Sequence, residues 1–238
     1  MVVVGGITRL THSGLSMVEW HLFMGSVPPL NETAWQEVFD KYQQFPEFQQ
    51  LNDQFTLADF KSIFWWEYIH RLLGRMVGVV FLVPFLIFLV RKKLDRPMIV
   101  KLSIMFGMGA FQAFLGWFMV KSGLVKEPRV SHFRLAAHLI TAFLTCTYIF
   151  WVALGEVYKL RPVRNDSSSL RKPAKVLFAL LIIQIVWGAF VAGMRAGLVH
   201  NTFPMMDDQW VHEAAFAMAP WWENFLNGKS GVQLVHRL

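Results

Sequence analysis

Long apolar runs separated by polar connections organise this chain. Four of the runs reach the roughly 20 residues that an α-helix needs to cross a bilayer, and they predict spans at about 63–90, 99–120, 131–155 and 175–194. The apolar segments at the two ends are shorter. We therefore predict an all-α, polytopic membrane helical bundle with four complete transmembrane helices and stubs of two more, and we expect the chain to be truncated at both ends.

The polar connections divide the chain into five predicted parts. In the first outer loop, Asn31 is a candidate N-cap, and Thr56 with Asp59 has the pattern of a capping box, so we predict two short interfacial helices there. The parts are a remnant of a first transmembrane helix at 1–10, an outer loop at 11–62, three helices with the first-repeat site at 63–160, a basic inner loop at 161–174, and the start of a second repeat at 175–238.

Basic residues concentrate in two of the connections. Residues 91–98 and 158–175 are strongly basic, whereas 11–62 and 196–230 are mixed or acidic. Because positively charged loops stay on the cytoplasmic or matrix side, we predict that the basic pair lies on that side. Three histidines then lie at one depth near the outer face of the membrane: His70, His138 and His236.

The composition agrees with a membrane protein. Hydrophobic residues make up 55% of the 238 positions and charged residues only 16%, which is too apolar for an ordinary soluble domain. The net charge of +7 comes from short loops beside the apolar runs, so it indicates contact with membrane lipid and not with nucleic acid. The single cysteine, Cys146, excludes an intrachain disulfide and a cysteine-based metal site. Metal chemistry must therefore come from histidine and carboxylate.

The stretch from Trp65 to Arg75 places ionisable groups where an apolar run enters the membrane, and groups at that depth are functional candidates because they are costly there. Glu67 and His70 share a face if the stretch is helical. Histidines from neighbouring helices commonly hold haem. We predict that His70 and His138 bind haem iron as a pair, and that His236 is a further ligand whose partner lies beyond this sequence. The alternative is that these histidines only bridge helices by hydrogen bonds.

Glu67 distinguishes an enzyme from an electron carrier in this interpretation. A carboxylate one turn from a haem ligand can accept a proton or stabilise a positively charged intermediate, whereas a carrier needs no such group. Nearby arginines are candidates for pairing with haem propionates, and the alternatives are snorkelling to lipid phosphate or, for Arg71, an ion pair with Glu67. The candidate arginines are Arg71, Arg75 and Arg134.

A short internal repeat predicts a duplicated bundle with two related sites. The tripeptide His-Arg-Leu at 70–72 recurs at 236–238. Residues 2–9 also loosely match residues 189–195, and both of these segments end in an arginine. We expect most of the second copy to lie outside this sequence.

Five segments of the chain together form a specific set of motifs. They lie at 5–16, 67–75 (Glu-Tyr-Ile-His-Arg-Leu-Leu-Gly-Arg), 111–124, 128–139 and 232–238. This set resembles the haem A synthase family of cytochrome c oxidase assembly proteins over essentially the whole chain. The long loop at 17–63, which contains Tyr-Gln-Gln-Phe-Pro-Glu-Phe, is most similar to the mitochondrial and alphaproteobacterial branch.

The resemblance implies an eight-helix protein of two four-helix repeats that oxidises the C8 methyl group of haem O to the formyl group of haem A. By the match of motifs, His70 and His138 are associated with the substrate haem, Glu67 is the essential acid, and His236 is a ligand of a haem b cofactor in the second repeat. Two alternative functions stay open: a b-type electron-transfer membrane cytochrome and a non-catalytic haem-binding assembly factor.

The resemblance also implies a location and partners. The location is the mitochondrial inner membrane or, as the alternative, the bacterial plasma membrane. Haem O synthase and an electron-transfer partner are the expected protein partners, together with assembly into a homo-oligomer.

Overall fold

The computed structural model describes residues 1–19, 27–125, 128–158 and 168–238, and within these ranges the regular structure is helical, without a β-strand. This confirms the predicted all-α class. The α-helices are α1 (Val2–Leu10), α2 (Glu32–Gln43), α3 (Pro46–Leu51), α4 (Leu57–Val90), α5 (Arg96–Gly123), α6 (His132–Tyr158), α7 (Ser168–Met194), α8 (Glu223–Leu226) and α9 (Lys229–Arg237). Two short 3-10 helices span Ala196–Leu198 and Glu213–Phe216.

The four helices α4 to α7 are long and apolar enough to cross a membrane, which confirms the four predicted spans. Each helix extends beyond the predicted bounds at one end or at both. The reason is that a helix ends where its backbone groups find caps, and not where its side chains cease to be apolar. In α5, for example, the N-cap Asp95 accepts a hydrogen bond at its side chain from the Met98 N–H at 3.1 Å, so the helix begins before the apolar run does.

The start of α4 corrects the first outer loop. The Asp59 carboxylate accepts a hydrogen bond from the Thr56 N–H at 2.9 Å, and the Thr56 hydroxyl accepts one from the Asp59 N–H, so the predicted capping box is present. The box opens the spanning helix itself, not a separate interfacial helix. Residues 57–62 contain no glycine or proline, so nothing interrupts the helix before the apolar run.

The start of α7 corrects the predicted inner loop at 161–174. The helix begins at Ser168, so the second half of that segment is helical, while residues 161–167 lie outside the described residues. Arg171 and Lys172 in the first turns are exposed. Long basic side chains are tolerated at such a position because they reach the polar interface from a helix end.

The described chain forms two compact units, Met1–Val130 and Ser131–Leu238. In the first unit, α1 and α5 contact α4, and the outer-loop helix α2 also packs against α4. The predicted N-cap of α2 is confirmed, because the Asn31 side chain accepts a hydrogen bond from the Ala34 N–H at 2.8 Å. An aromatic core joins α2 to the start of α4, and it consists of Trp35, Phe39, Tyr42, Phe60, Ile63, Phe64 and Tyr68.

This outer-loop core contains a buried carboxyl group. Glu47 is only 6% exposed and accepts a hydrogen bond at Oε2 from the Tyr42 hydroxyl at 3.1 Å. The same hydroxyl accepts a hydrogen bond from the Asn52 amide at 2.8 Å. Because burial disfavours the ionised form, the pKa of Glu47 is raised to about 7.

In the second unit, α6 and α7 pack against each other, and α9 lies against α7, α8 and the two 3-10 helices. Its core contains Ala136, Ala189, Phe190 and Val232. A glycine permits close packing of α6 on α7, since a Cβ at Gly193 would lie 2.7 Å from the Cβ of His132. The framework thus holds α9, the helix of His236, against α7.

Candidate active site

The carboxylate of Glu67 is buried under the segment that follows α1. The side chain is 3% exposed. Its Oε2 atom accepts hydrogen bonds from the Ser16 hydroxyl and from the Met17 N–H, both at 2.7 Å. Its Oε1 atom accepts one from Nη2 of Arg71 at 2.5 Å. Three hydrogen-bond donors among the described residues therefore hold the two carboxylate oxygens.

Arg71 fastens the same segment to α4. Its Nη2 also donates to the carbonyl oxygen of Met17, and its Nη1 donates to that of Glu19, each at 2.9 Å. The predicted ion pair between Arg71 and Glu67 is thus present. Much of the Arg71 guanidinium is engaged in this way.

A small cavity of about 280 Å³ adjoins Arg71 in the first unit. Its walls are mainly apolar, and its cationic groups are Arg71 and Lys121. A pocket with this mixture of surfaces suits an acid group at the edge of an apolar molecule. The lining residues are Met17, Val18, Arg71, Trp117, Val120, Lys121 and Leu124.

His70 lies against a glycine of α1. The side chain is partly buried, and a Cβ at Gly5 would lie 3.3 Å from its Nε2 atom. A larger residue would therefore press on the ring. We refer to Gly5, Glu67 and His70 as the first histidine site.

His236 has the corresponding position on α9. A Cβ at Gly188 of α7 would lie 2.9 Å from its Cε1 atom, closer than real Cβ atoms come. The Nδ1 atom of His236 is buried and has no hydrogen-bond partner among the described residues. Three residues before His236 stands Gln233, which is 5% exposed. We refer to Gly188, Gln233 and His236 as the second histidine site.

The backbone beside the two glycines has the same course in both units. His12 and Arg195 both have a left-handed conformation, with φ of 54° and 52°. The His12 N–H donates to the carbonyl of Arg9, and the Arg195 N–H donates to that of Ala192, both at 3.3 Å. Four residues further on, the Ser16 N–H donates to the Ser13 carbonyl at 3.2 Å and the Val199 N–H to the Ala196 carbonyl at 3.1 Å.

This equivalence supports the predicted repeat but corrects its register. The sequence match placed Arg9 opposite Arg195, whereas the backbone places His12 opposite Arg195, almost one helical turn away. Gly5 then corresponds to Gly188, Ser16 to Val199, and Met17 to His200. The loose sequence match failed because few side chains are shared; the backbone conformation at the end of the helix identifies the register.

The segment after each glycine helix is held by the same arginine. Arg237 corresponds to Arg71, and its Nη2 donates to the carbonyl of His200 at 2.6 Å, just as Arg71 binds the carbonyl of Met17. The amide of Gln233 donates to that same His200 carbonyl at 2.7 Å. Its Oε1 is buried and has no hydrogen-bond partner in the described part of the chain. The two sites thus share a framework and differ chemically where Glu67 is replaced by Gln233.

His138 and Arg134 lie on α6, one turn apart, and both are partly buried. They belong to the second unit and His70 to the first, so the pairing of His70 with His138 stays a prediction. His132, also on α6, is engaged elsewhere in its unit: its Nε2 lies 2.9 Å from the carbonyl oxygen of Leu226.

A histidine and carboxylate cluster that sequence reasoning missed lies in the outer loop of the second unit. His200, Asp207 and His212 have their ligand atoms within 4.8 Å of one another. Both ring nitrogens of His200 are already engaged, with Asp207 at 2.6 Å and with the Ser230 hydroxyl at 2.9 Å. Nδ1 of His212 accepts a hydrogen bond from the Ala214 N–H. The cluster therefore supports the start of α9.

Comparison with known proteins identifies the family. A family model described as cytochrome oxidase assembly protein matches residues 1–238. The chain is 52% identical to the haem A synthases of Flavobacterium psychrophilum and of Flavobacterium johnsoniae, covering 100% of this chain and 70% of each relative. It is 50% identical to that of Nitrosospira multiformis, with 100% of this chain and 67% of the relative covered. No solved structure matches. This chain belongs to the haem A synthase family.

Proposed function

We propose that this chain oxidises the C8 methyl group of haem O to the formyl group of haem A. In this conversion the methyl carbon is hydroxylated successively, with water as the oxygen source, and the resulting diol loses water; the electrons removed from the carbon pass to an electron acceptor, and the protons are released. In this proposal His70 and His138 bind the substrate haem, and Arg71, Arg75 and Arg134 are the candidates for pairing with its propionates. Glu67 is the catalytic acid group of the first histidine site.

One observation carries the proposal: the two histidine sites share a framework, yet only the first contains a carboxylate. An electron-transfer site requires a haem ligand, whereas oxidation of a carbon atom also requires a group that responds to developing charge. The presence of Gln233 at the position that corresponds to Glu67 therefore supports different roles for the two sites. The first site performs the chemistry, and the second holds a cofactor.

The residues of the second site fit a histidine that would hold the iron of haem b. The buried Nδ1 atom of His236 has no hydrogen-bond partner among the described residues, and Gly188 leaves room for the ring. When bound there, haem b would supply a route for electrons. The protein's contribution is to hold the ring of His236 through the packing of α9 on α7.

The surroundings of Glu67 favour an electrostatic role. Both carboxylate oxygens accept hydrogen bonds from fixed donors, so the group is held in place rather than free to swing toward the substrate. A fixed negative charge stabilises positive charge that develops at the methyl carbon during oxidation. We therefore assign Glu67 to charge stabilisation, with proton acceptance as the competing role.

We place the protein in a bacterial plasma membrane. Its four apolar helices make it an integral membrane protein, and the relatives named above are bacterial, which favours this location over the mitochondrial inner membrane. The proposed partners are haem O synthase as the source of substrate, an electron acceptor, and further copies of the chain.

The proposal is tested by expressing the chain in membranes that contain haem O and extracting the bound pigment. We expect a formyl haem that disappears in Glu67→Gln, while bound haem is retained. Glu37→Gln, in an exposed position of α2, is the matched control. Bound haem O that is never converted would favour the b-type cytochrome, and a colourless protein would overturn both functions.

A further inference from the structure

We propose that Ser16 is a positioning residue for the oxidation: together with the Met17 N–H it clamps Oε2 of Glu67 in its catalytic orientation. This inference rests on the proposed function. Ser16 lies 51 positions from Glu67 in the sequence and contributes no atom to the haem ligands. Its role is therefore visible only in the folded chain.

The hydroxyl of Ser16 has one proton and three acceptors within reach. They are Oε2 of Glu67 at 2.7 Å, the Ser13 carbonyl at 2.9 Å and the Ile63 carbonyl at 3.5 Å. A hydrogen bond to a charged acceptor is shorter and roughly twice as strong as one between neutral groups. Because Ser16 is fully buried, water does not compete for the proton. The hydroxyl therefore donates to Glu67.

The second unit separates this role from a merely structural one. Val199 occupies the position that corresponds to Ser16, and its N–H keeps the backbone hydrogen bond of the turn, to Ala196. The turn thus forms without a hydroxyl. Val199 is 41% exposed and is opposite no carboxylate, since Gln233 replaces Glu67. The second unit thus has neither a hydroxyl at the position of Ser16 nor a carboxylate at the position of Glu67. This is expected if the hydroxyl binds the carboxylate and is not needed to form the turn.

Removal of the hydroxyl leaves Oε2 with the Met17 N–H alone. The carboxylate then samples other orientations, and stabilisation of the developing charge weakens while the haem ligands are unchanged. For Ser16→Val we expect kcat to fall about 10-fold to 100-fold, the range that one charge-assisted hydrogen bond supplies. KM for haem O should change less than about threefold, because no binding contact is lost.

The test uses the full 238-residue chain in membranes supplied with haem O. The variants are Ser16→Val, Ser16→Thr, Glu67→Gln and the double variant Ser16→Val/Glu67→Gln. Val199→Ser is the matched control in the second unit and should leave turnover unchanged. Two measurements are made on each: haem O turnover, separated into kcat and KM, and the infrared carboxylate band that disappears in Glu67→Gln.

We expect the carboxylate band to shift in Ser16→Val and to return to its wild-type position in Ser16→Thr. Turnover should likewise fall in Ser16→Val and recover in Ser16→Thr. The double variant should be no slower than Glu67→Gln alone, because the two residues act through one group. An unshifted band in a folded Ser16→Val protein would overturn the clamp, as would additive losses of turnover. Failure of the wild-type chain to convert haem O would overturn the proposed function instead, and the infrared band would still decide whether Ser16 holds Glu67.

Discussion

The two histidine sites share one framework and hold different groups in it. In each unit a glycine-containing helix lies against a histidine, a left-handed residue ends that helix, and an arginine binds the next segment through a carbonyl oxygen. These shared features place a ring near a helix backbone. The sites differ in the group that stands three residues before the histidine, a carboxylate in the first and an amide in the second.

The difference has an energetic cause. A buried carboxylate is tolerated only with donors on its oxygens, and the first unit supplies three of them to Glu67. An amide needs less support, and Gln233 donates one hydrogen bond to His200. The segment after the glycine helix differs as well, with Ser16 in the first unit and Val199 at the corresponding position of the second. Charge at such a site therefore depends on the segment that packs over it as much as on the helix that carries it.

Making the first site resemble the second should have the largest effect. Glu67→Gln removes the charge at nearly constant shape, and we expect haem O conversion to fall by about 100-fold or more, the scale of losing a preorganised electrostatic group. Chromatography of extracted haems measures this, with bound haem quantified in parallel. Near-normal conversion by a fully loaded variant would show that the carboxylate does not distinguish the two sites.

Filling the glycine positions tests the shared part of the framework. Gly188→Ala places a methyl group 2.9 Å from Cε1 of His236, so the ring must move, and we expect haem b bound at that site to fall about tenfold. Gly5→Ala meets the ring of His70 at 3.3 Å and should lower haem binding less. Reduced-minus-oxidised spectra follow both. Equal losses of bound haem in Gly5→Ala and Gly188→Ala would contradict the expectation that the closer contact at Gly188 has the larger effect.

The reverse exchange in the second site should destabilise the protein. Gln233→Glu replaces an amide that donates to the His200 carbonyl with an oxygen that repels it, and no hydroxyl corresponding to Ser16 is present. Although Arg237 offers a partial ion pair, we expect a loss of about 2 kcal/mol in the free energy of unfolding. Thermal unfolding of the purified protein measures the loss. An unchanged midpoint would indicate that the second framework accepts a carboxylate without loop donors.

In the outer loop of the first unit, the buried Glu47 should make the stability of the α2–α3 segment depend on pH. The folded pKa of Glu47, about 7, lies above its ordinary value of 4.5, so the folded state binds more protons between these values. The stability of the α2–α3 segment should therefore fall as pH rises from about 4.5 to about 7, by roughly 2 kcal/mol, and then level off. Hydrogen exchange corrected for intrinsic rates measures this. Glu47→Gln should abolish the dependence, whereas the exposed Glu37→Gln should retain it.

The helices were predictable to a large extent, and their boundaries less so. Hydropathy over some 20 residues is a local property, so four spans were evident without a structure. The starts at Leu57 and Ser168 were not, because a helix can extend beyond its apolar run: the capping box opens the spanning helix α4 itself, and α7 continues through Pro173. The register of the internal repeat was wrong by three residues, since the two copies share a backbone conformation and few side chains.

The sequence by itself determined that this is a helical membrane protein, and its spacing put Glu67 and His70 on one face of a helix. Its motifs also indicated the family. Only the tertiary structure decided which groups surround the carboxylate, because Ser16 and Met17 are distant in sequence and reach Glu67 through the packing of α1 on α4. It also decided that the backbone and arginine contacts around Glu67 and Gln233 match. Local spacing selects a face of a helix, but the charge that this face can hold depends on donors from elsewhere in the chain.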